Sequence, residues 1–486
     1  QEFWQTSPIY QIYPKSYADS NNDGIGDITG IRGKLDYLKD DLGVEMVWLN
    51  PVYESPQFDN GYDIMDYRSI DPVFGTMNDM ELLITDLHDR GMKLIMDFVP
   101  NHTSDQHAWF NASSDPDHAQ HDKYKDYYIW VDSKDGTENG IPNNWQSVFS
   151  DVEKSAWEWS AKRKQFYYHA FLKQQPDLNF RNEAVLAELD GVLAFWMDQG
   201  VDGFRCDAVG FMFEATHLRD NPLVDPTLNV NILYSSVYLY SSVYEARINP
   251  FNKQALIVCY YFSIKVNTLC DFLYENVIRY YGTPWVDEAD FPMNFRLIDL
   301  EHASAWTGTA IETTVLEWMT KMPAGKWPNW VIGNHDQPRV VSRLGKPLAI
   351  CAAFLTMTLS GTPGMYYGEE IGMEDLPITN PVRRRILQNG LKHIFLGLTY
   401  FSLQQDFRDP VRTPMQWDTT ENAGFCKNCT PWLPLNQNYA IGLNVEDEKV
   451  DATSVFNIYK RLINLRSQDT FLRGYLCMVY SSAKSV

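Results

Sequence analysis

Three short stretches carry residues whose types and spacing suit polar chemistry. In GFRCDAV, Arg205 and Asp207 stand two apart, so on a strand both side chains leave by the same face. A guanidinium beside a carboxylate favours its ionised form, which is the form a nucleophile needs; such a pair can equally be a structural ion pair. DFVPNHTS brings Asp97, Asn101 and His102, and VIGNHDQPR brings His335 and Asp336. A lone His or Asp in such a place is structural more often than not, whereas three polar clusters at three strand ends point to one shared pocket. A fourth stretch, DSNNDGIGD, repeats oxygen donors at every second residue: Asp19, Asn21, Asp23, the Ile25 position and Asp27. With two glycines that permit a tight wrap, this set suits a hard cation, Ca2+; the alternative is an Asx-rich turn without an ion. The spacing is not that of an EF-hand.

These clusters meet only if the elements bearing them converge. Eight β-branched and apolar runs, near Tyr10–Tyr17, Met46–Val52, Lys93–Val99, Val201–Ala208, Ala255–Phe262, Ala289–Phe295, Asn329–Gly333 and Pro363–Tyr367, each end in polar residues. Helical periods at Ile31–Leu42, Met80–Arg90, Ala184–Gln199, Ile311–Lys321 and Val455–Arg466 alternate with several of them. Repeated βα units of this number predict an α/β chain closed as a (β/α)8 barrel, with the polar strand ends gathered at one mouth. The Asp-, Asn- and Trp-rich stretch after the third strand is too long for a plain connection. The expected division is therefore a barrel over 1–104 and 177–470, with an inserted subdomain over 105–176.

Composition narrows the partners. The 486 residues are 44 % hydrophobic and 21 % charged, which fits a globular chain and excludes collagen-like, coiled-coil and disordered classes. Acidic residues outnumber basic ones 63 to 41, a net charge of −22 that argues against nucleic acid or an anionic membrane surface. Aromatics reach 14 %, and flat rings with polar tips suit stacking on sugars, although a core uses them too. No apolar run approaches the roughly 20 residues of a membrane-spanning helix. Seven cysteines are few for a disulfide scaffold of this size; most read as buried or incidental thiols, and Cys426 and Cys429, three apart, are a weak redox or metal signal.

The motifs QIYPKSYADSNNDGIGD, FDNGYDI, DFVPNHTS, GFRCDAV, GNHDQPR, YYGEEIGM and RDPVRTPMQWD together resemble the α-amylase superfamily of glycoside hydrolases (family 13), especially the maltase-type α-glucosidases of insects. The resemblance implies retaining hydrolysis of terminal α-1,4-linked glucose from maltose, sucrose or short oligosaccharides. It implies Asp207 as nucleophile, Arg205 as its electrostatic partner and Asp336 as the carboxylate that steadies the transition state. His102 and His335 would bind hydroxyls of the same ring. Asp59, Tyr62, Arg408 and Arg412 would clamp the non-reducing-end glucose, and calcium at Asp19–Asp27 would be structural. Secretion or display at the cell surface is also implied, in keeping with glycosylation sequons at Asn111 and Asn428; the sequon at Asn101 falls at the pocket and is a poor acceptor.

One part is missing. Retaining glycosidases need a second carboxyl group about 5 Å from the nucleophile to protonate the leaving oxygen. The family writes it as a Glu after an apolar triplet on strand five, but here Ala255-Leu256-Ile257 runs into Val258-Cys259-Tyr260. An alignment backwards from ENVIRYYG puts Leu269 there instead, and Asp271 and Glu275 are the nearest carboxylates. Loss of such an acid lowers the rate on the order of 10²- to 10⁴-fold. Three stretches also break the family pattern: a tandem LYSSVY at 233–244, VCYYFSIKVNTLCDF at 258–272, and the basic, apolar stretch 381–405. They read either as retained intervening sequence or as the mark of a catalytically inactive relative acting as a sugar-binding or receptor protein, with a protein partner. Relatives close with a small C-terminal β-domain, of which 471–486 would be a truncated start.

Overall fold

The computed structural model describes residues 2–149, 153–221, 277–282, 289–378 and 408–468, and the backbone alone of 223–225, 230–231, 256–259, 283 and 286–287. The tandem repeat at 233–244, residues 260–272 with Leu269 and Asp271, Glu275, the 381–405 stretch and the 471–486 segment lie outside the described residues.

All eight expected strands form, and they share one sheet: β1 (Ile9–Ile12), β2 (Met46–Leu49), β3 (Lys93–Phe98), β4 (Gly203–Cys206), β5 (Leu256–Cys259), β6 (Phe291–Pro292), β7 (Asn329–Val331) and β8 (Thr362–Tyr366). Their order is β6-β5-β4-β3-β2-β1-β8-β7, with every neighbouring pair parallel. The two ends of the sheet come together where the Asn294 N–H beyond β6 donates to Oδ1 of Asn329 in β7 at 3.2 Å. This is the (β/α)8 barrel. Strand β1 is shorter than the sequence suggested, because Pro14, which lacks an N–H, opens a helical turn at Pro14–Tyr17 instead of extending the strand.

Helices cover the sheet: α1 (Met77–Asp89), α2 (Glu183–Asp198), α3 (Gly308–Lys321), α4 (Lys346–Thr358) and α5 (Val455–Arg466). Side-chain caps from Thr76, Asn182, Thr307 and Ser454 start four of them, each accepting a backbone N–H of the first turn. The helix expected over Ile31–Leu42 is divided into Ile28–Arg32 and a wide turn at Tyr37–Leu42 that stops at Gly43, whose φ of 92° favours glycine. Helix α5 buries Phe456, Tyr459, Leu462 and Ile463 against the barrel, and Arg466 donates to the carbonyls of Met357 and Leu359 at the end of α4.

Within the long connection after β3, Trp130–Asp132, Gln165–Tyr168 and Trp157–Ser160 form a three-stranded antiparallel sheet. It packs its own aromatic cluster, including Trp145, Trp157, Tyr168 and Phe171. Phe171 meets Phe211, just past β4, with ring centroids 5.0 Å apart. That contact sets the insert over the barrel mouth. No helix among the described residues is long and apolar enough to cross a membrane.

Candidate active site

Strand β4 ends in Arg205 and Cys206, and Asp207 follows directly. The Asp207 N–H donates to the Phe98 carbonyl at 2.7 Å, and the chain then turns at Ala208, whose φ is 52°. A non-glycine residue in the left-handed region is uncommon and costs about 1 kcal/mol or more; here it lifts the chain off the strand just after Asp207. Arg205 sits between two carboxylates, 2.6 Å from Asp97 and 2.8 Å from Asp207. The Asp97 side chain is fully buried, but that of Asp207 keeps 14 % exposure. Asp97 therefore holds the guanidinium from below, and Asp207 faces the pocket.

The expected effect of Arg205 on Asp207 is outweighed. Burial is the largest influence and pushes Asp207 up to about 7, Arg205 pulls it down, and Asp97, Asp336 and Asp59 push it up further. Sequence spacing reveals the cation but not the desolvation, which is why the expected lowering reverses.

A buried network orients the neighbouring groups. The Gln11 amide donates to Asn50 Oδ1 and to His335 Nδ1, both at 2.8 Å, which leaves the His335 proton on Nε2. That nitrogen lies 2.9 Å from the Tyr62 hydroxyl and 3.4 Å from Asp336 Oδ2. The Tyr62 hydroxyl in turn donates to Asp97 at 3.1 Å. Burial holds His335 well below the usual imidazole range and His102 at about 3, so both are neutral donors or acceptors near pH 7.

The outer wall is a carboxylate–guanidinium chain. Arg408 binds Asp59 at 2.8 Å and reaches Asp336 at 3.5 Å, while Arg412 binds Asp336 at 2.9 Å and the His335 carbonyl at 2.8 Å. Asp59 is presented by the turn at Gly61, where φ is 104°. Beneath that turn the buried Asp63 carboxylate accepts the N–H groups of Phe58 and Asp59. The pocket is lined by Asp59, Tyr62, His102, Phe149, Phe171, Asp207, His335, Asp336 and Arg408. Arg205 and Arg412 lie just behind this lining.

Several participants have little sequence signal. Gln11 is detectable as a polar residue inside a buried strand, IYQI. Gln175 donates to Asp59 at 3.2 Å from the end of the insert, and Phe149 and Phe171 arrive with the insert's fold, so spacing from the barrel motifs does not find them. Asn101 is fully buried and donates to Asp177 at 3.0 Å, which agrees with its being a poor glycosylation acceptor, whereas Asn111 and Asn428 are exposed.

Backbone register locates position 258, one of the two positions where the resemblance would put the acid; the other, Leu269, lies outside the described residues. Arg205 pairs with Asp97 on one side and with Val258 on the other, and residues paired across parallel strands share a face. Position 258 thus stands in the same backbone row as Arg205 and Asp97. The residue there is valine.

The cation loop is built from the same residues the sequence marks. Asp19 accepts the N–H groups of Asn22 and Gly24, Asp23 that of Ile25, and Asp27 those of Ser20 and Gly30. These are Asx turns and a helix cap, yet three carboxylates crowd one short loop, and no ammonium or guanidinium is hydrogen-bonded to them among the described residues. The loop offers oxygen donors of the kind a hard divalent cation takes, but the carboxylate oxygens of Asp19, Asp23 and Asp27 do not all lie within 4.8 Å of one another.

The chain matches the alpha-amylase catalytic domain over residues 11–474. It belongs to the alpha-amylase family. Among relatives in that family, the human amino acid transporter heavy chain SLC3A1 is 40 % identical over 490 residues, covering 98 % of this chain and 67 % of that protein. Maltase 1 of Drosophila virilis is 39 % identical over 484 residues, covering 97 % of this chain and 74 % of that protein. Among solved structures, the alpha-glucosyl transfer enzyme XgtA superposes with a TM-score of 0.81 at 33 % identity, covering 97 % of this chain and 86 % of that one. The alpha-amylase family thus joins catalysts and a transporter subunit on one barrel.

Proposed function

We propose that this pocket binds the non-reducing α-glucosyl end of maltose, sucrose or a short oligosaccharide and that Asp207 attacks its anomeric carbon with net retention. The observation that carries the reading is the convergence of Asp207, Asp336, His335 and the Asp59–Arg408 pair on one pocket under an aromatic insert. Asp336, held by Arg412, steadies the positive charge that develops on the ring, and the neutral His102 and His335 take ring hydroxyls. With valine at 258, departure of a sugar alcohol lacks a proton donor at that position. A leaving group that is itself acidic, such as p-nitrophenol, departs without one. The test is to compare turnover of p-nitrophenyl α-glucoside and maltose by the full chain. The first should be turned over readily and the second slowly; equal rates would refute the assignment.

Asp207 must be ionised to attack. Since its carboxyl is pushed up to about 7, kcat/KM for p-nitrophenyl α-glucoside should rise roughly tenfold per pH unit below that value and level off above it. A profile flat from about pH 5 to 8 would show that another group limits the rate.

Arg408→Ala leaves the buried Asp59 without its cationic partner, with only the Gln175 amide donating to it. Removal of one member of such a pair costs about 2 kcal/mol, so glucose affinity by calorimetry should fall roughly thirtyfold while the far-ultraviolet spectrum stays unchanged. An unaltered affinity would remove Arg408 from the clamp.

Calcium at Asp19, Asn21, Asp23, the Ile25 carbonyl and Asp27 would neutralise the loop and add stability. At about a hundred times its Kd a bound ion contributes about 2.7 kcal/mol, so chelation should lower the melting midpoint by a few degrees, and calcium but not sodium should restore it. Exposed sequons at Asn111 and Asn428, together with a disulfide between Cys426 and Cys429, favour an extracellular or cell-surface site.

A second reading, a non-catalytic sugar-binding subunit that assembles with a protein partner, draws support from valine at 258 and from likeness to the transporter heavy chain. It predicts glucose binding with no turnover even of p-nitrophenyl α-glucoside.

A further inference from the structure

Cys426 and Cys429 are not incidental thiols: they form a disulfide, and they do so against the cation loop. The two loops are joined backbone to backbone. The Asp19 N–H donates to the Phe425 carbonyl at 3.1 Å, the Trp432 N–H to the Gly24 carbonyl at 2.8 Å, and the Lys427 N–H to Asn22 Oδ1 at 2.7 Å. A Cβ at Gly24 would stand 2.2 Å from the Thr430 carbonyl oxygen, so the approach needs glycine there. This packing brings one carboxylate oxygen of Asp19 and the two sulfurs within 4.8 Å of one another.

The surroundings suit thiolates. The Asn422 amide lies 3.5 Å from the Cys426 sulfur and 3.6 Å from that of Cys429, and donates to the Cys429 carbonyl at 3.1 Å. A left-handed Asn428, φ 53°, reverses the chain between the cysteines and turns both sulfurs toward Asp19. Cys426 is buried and Cys429 half-buried, so a small reductant has a route to the bond. Two sulfurs spaced as C-x2-C plus one carboxylate form a borderline-soft donor set, distinct from the all-oxygen set of the neighbouring loop.

We propose that Cys426, Cys429 and Asp19 form a redox-gated site for a zinc-class divalent ion, closed while the disulfide is intact and open once it is reduced. A dithiol reductant supplies two electrons and two protons. The S–S bond breaks, two thiols form, and the reductant leaves as its own disulfide. The ion then displaces both thiol protons and takes two S–metal bonds and one O–metal bond, with water in the remaining position. Asp19 belongs to both donor sets, so occupancy here is felt directly by the oxygen loop.

Co2+ serves as the probe because a thiolate bound to it gives a near-ultraviolet charge-transfer band. The full chain is titrated with Co2+ as isolated, and again after reduction by a water-soluble phosphine that is then removed without air. The reduced protein should develop the band, saturate at one ion per chain and lose the colour to Zn2+, while the oxidised protein stays blank. The Cys426→Ser/Cys429→Ser variant should stay blank in both states. Asp19→Asn should weaken binding by at least about tenfold, the loss that even an outer-shell partner brings. A reduced protein without the band, or a band that persists in the double serine variant, would overturn the proposal. So would unchanged affinity in Asp19→Asn.

Discussion

Asp207→Asn should reduce turnover of p-nitrophenyl α-glucoside by roughly 10⁴-fold or more, the scale on which removal of a nucleophile acts, while glucose binding changes only a few-fold. The separation follows from the geometry. Asp207 is the carboxylate of the Arg205 pair that keeps exposure to the pocket, whereas Asp97 is sealed beneath it. On the proposed reading, the ground-state contacts to sugar hydroxyls come instead from other residues that line the pocket, His102, His335, Asp336 and the Asp59–Arg408 pair. Equal loss of binding and turnover would make Asp207 a structural member of the ion-pair network. Steady-state kinetics alongside glucose calorimetry distinguish the two.

Val258→Glu should have the opposite effect on a different substrate. Position 258 shares the backbone row of Arg205 and Asp97, the row that leads to the nucleophile on the neighbouring strand, and on the proposed reading this is where the acid belongs. Maltose hydrolysis should rise on the order of 10²- to 10⁴-fold, the range assigned to general acid catalysis. Hydrolysis of p-nitrophenyl α-glucoside should rise much less, because p-nitrophenol is a far stronger acid than a sugar hydroxyl. A variant that accelerates both substrates equally, or neither, would place the missing proton donor elsewhere on the chain.

Much of the barrel is legible in the sequence because a parallel strand buried on both faces is a dense apolar run, and each of the eight runs is followed by polar residues at the mouth. The errors are local. Pro14 cuts the first strand short, and Gly43 ends a helical period that the apolar spacing alone would carry through. The site residues on strand ends were visible for the same reason as the strands. Gln175, Phe149 and Phe171 were not, because they are brought to the pocket by an insert whose placement depends on aromatic packing rather than on a repeating period. The state of Asp207 is not legible in the spacing for a related reason. Arg205 is written beside it in the chain, but the burial that outweighs Arg205 is a property of the closed barrel. The bond between Cys426 and Cys429 likewise follows from a loop conformation that their spacing permits without requiring.

On the proposed reading, the absence of an acid–base residue at position 258 bears on both steps of retention. The residue that protonates the leaving group also activates the water that releases the glycosyl-enzyme, so its absence slows the second step even when an acidic leaving group makes the first one fast. The most direct measurement is therefore to mix the full chain with p-nitrophenyl α-glucoside, follow p-nitrophenol in the first turnover, quench, and map the peptides by mass spectrometry. The account predicts a burst of about one p-nitrophenol per chain and a glucosyl ester on the peptide bearing Asp207; no burst and no ester there would contradict it.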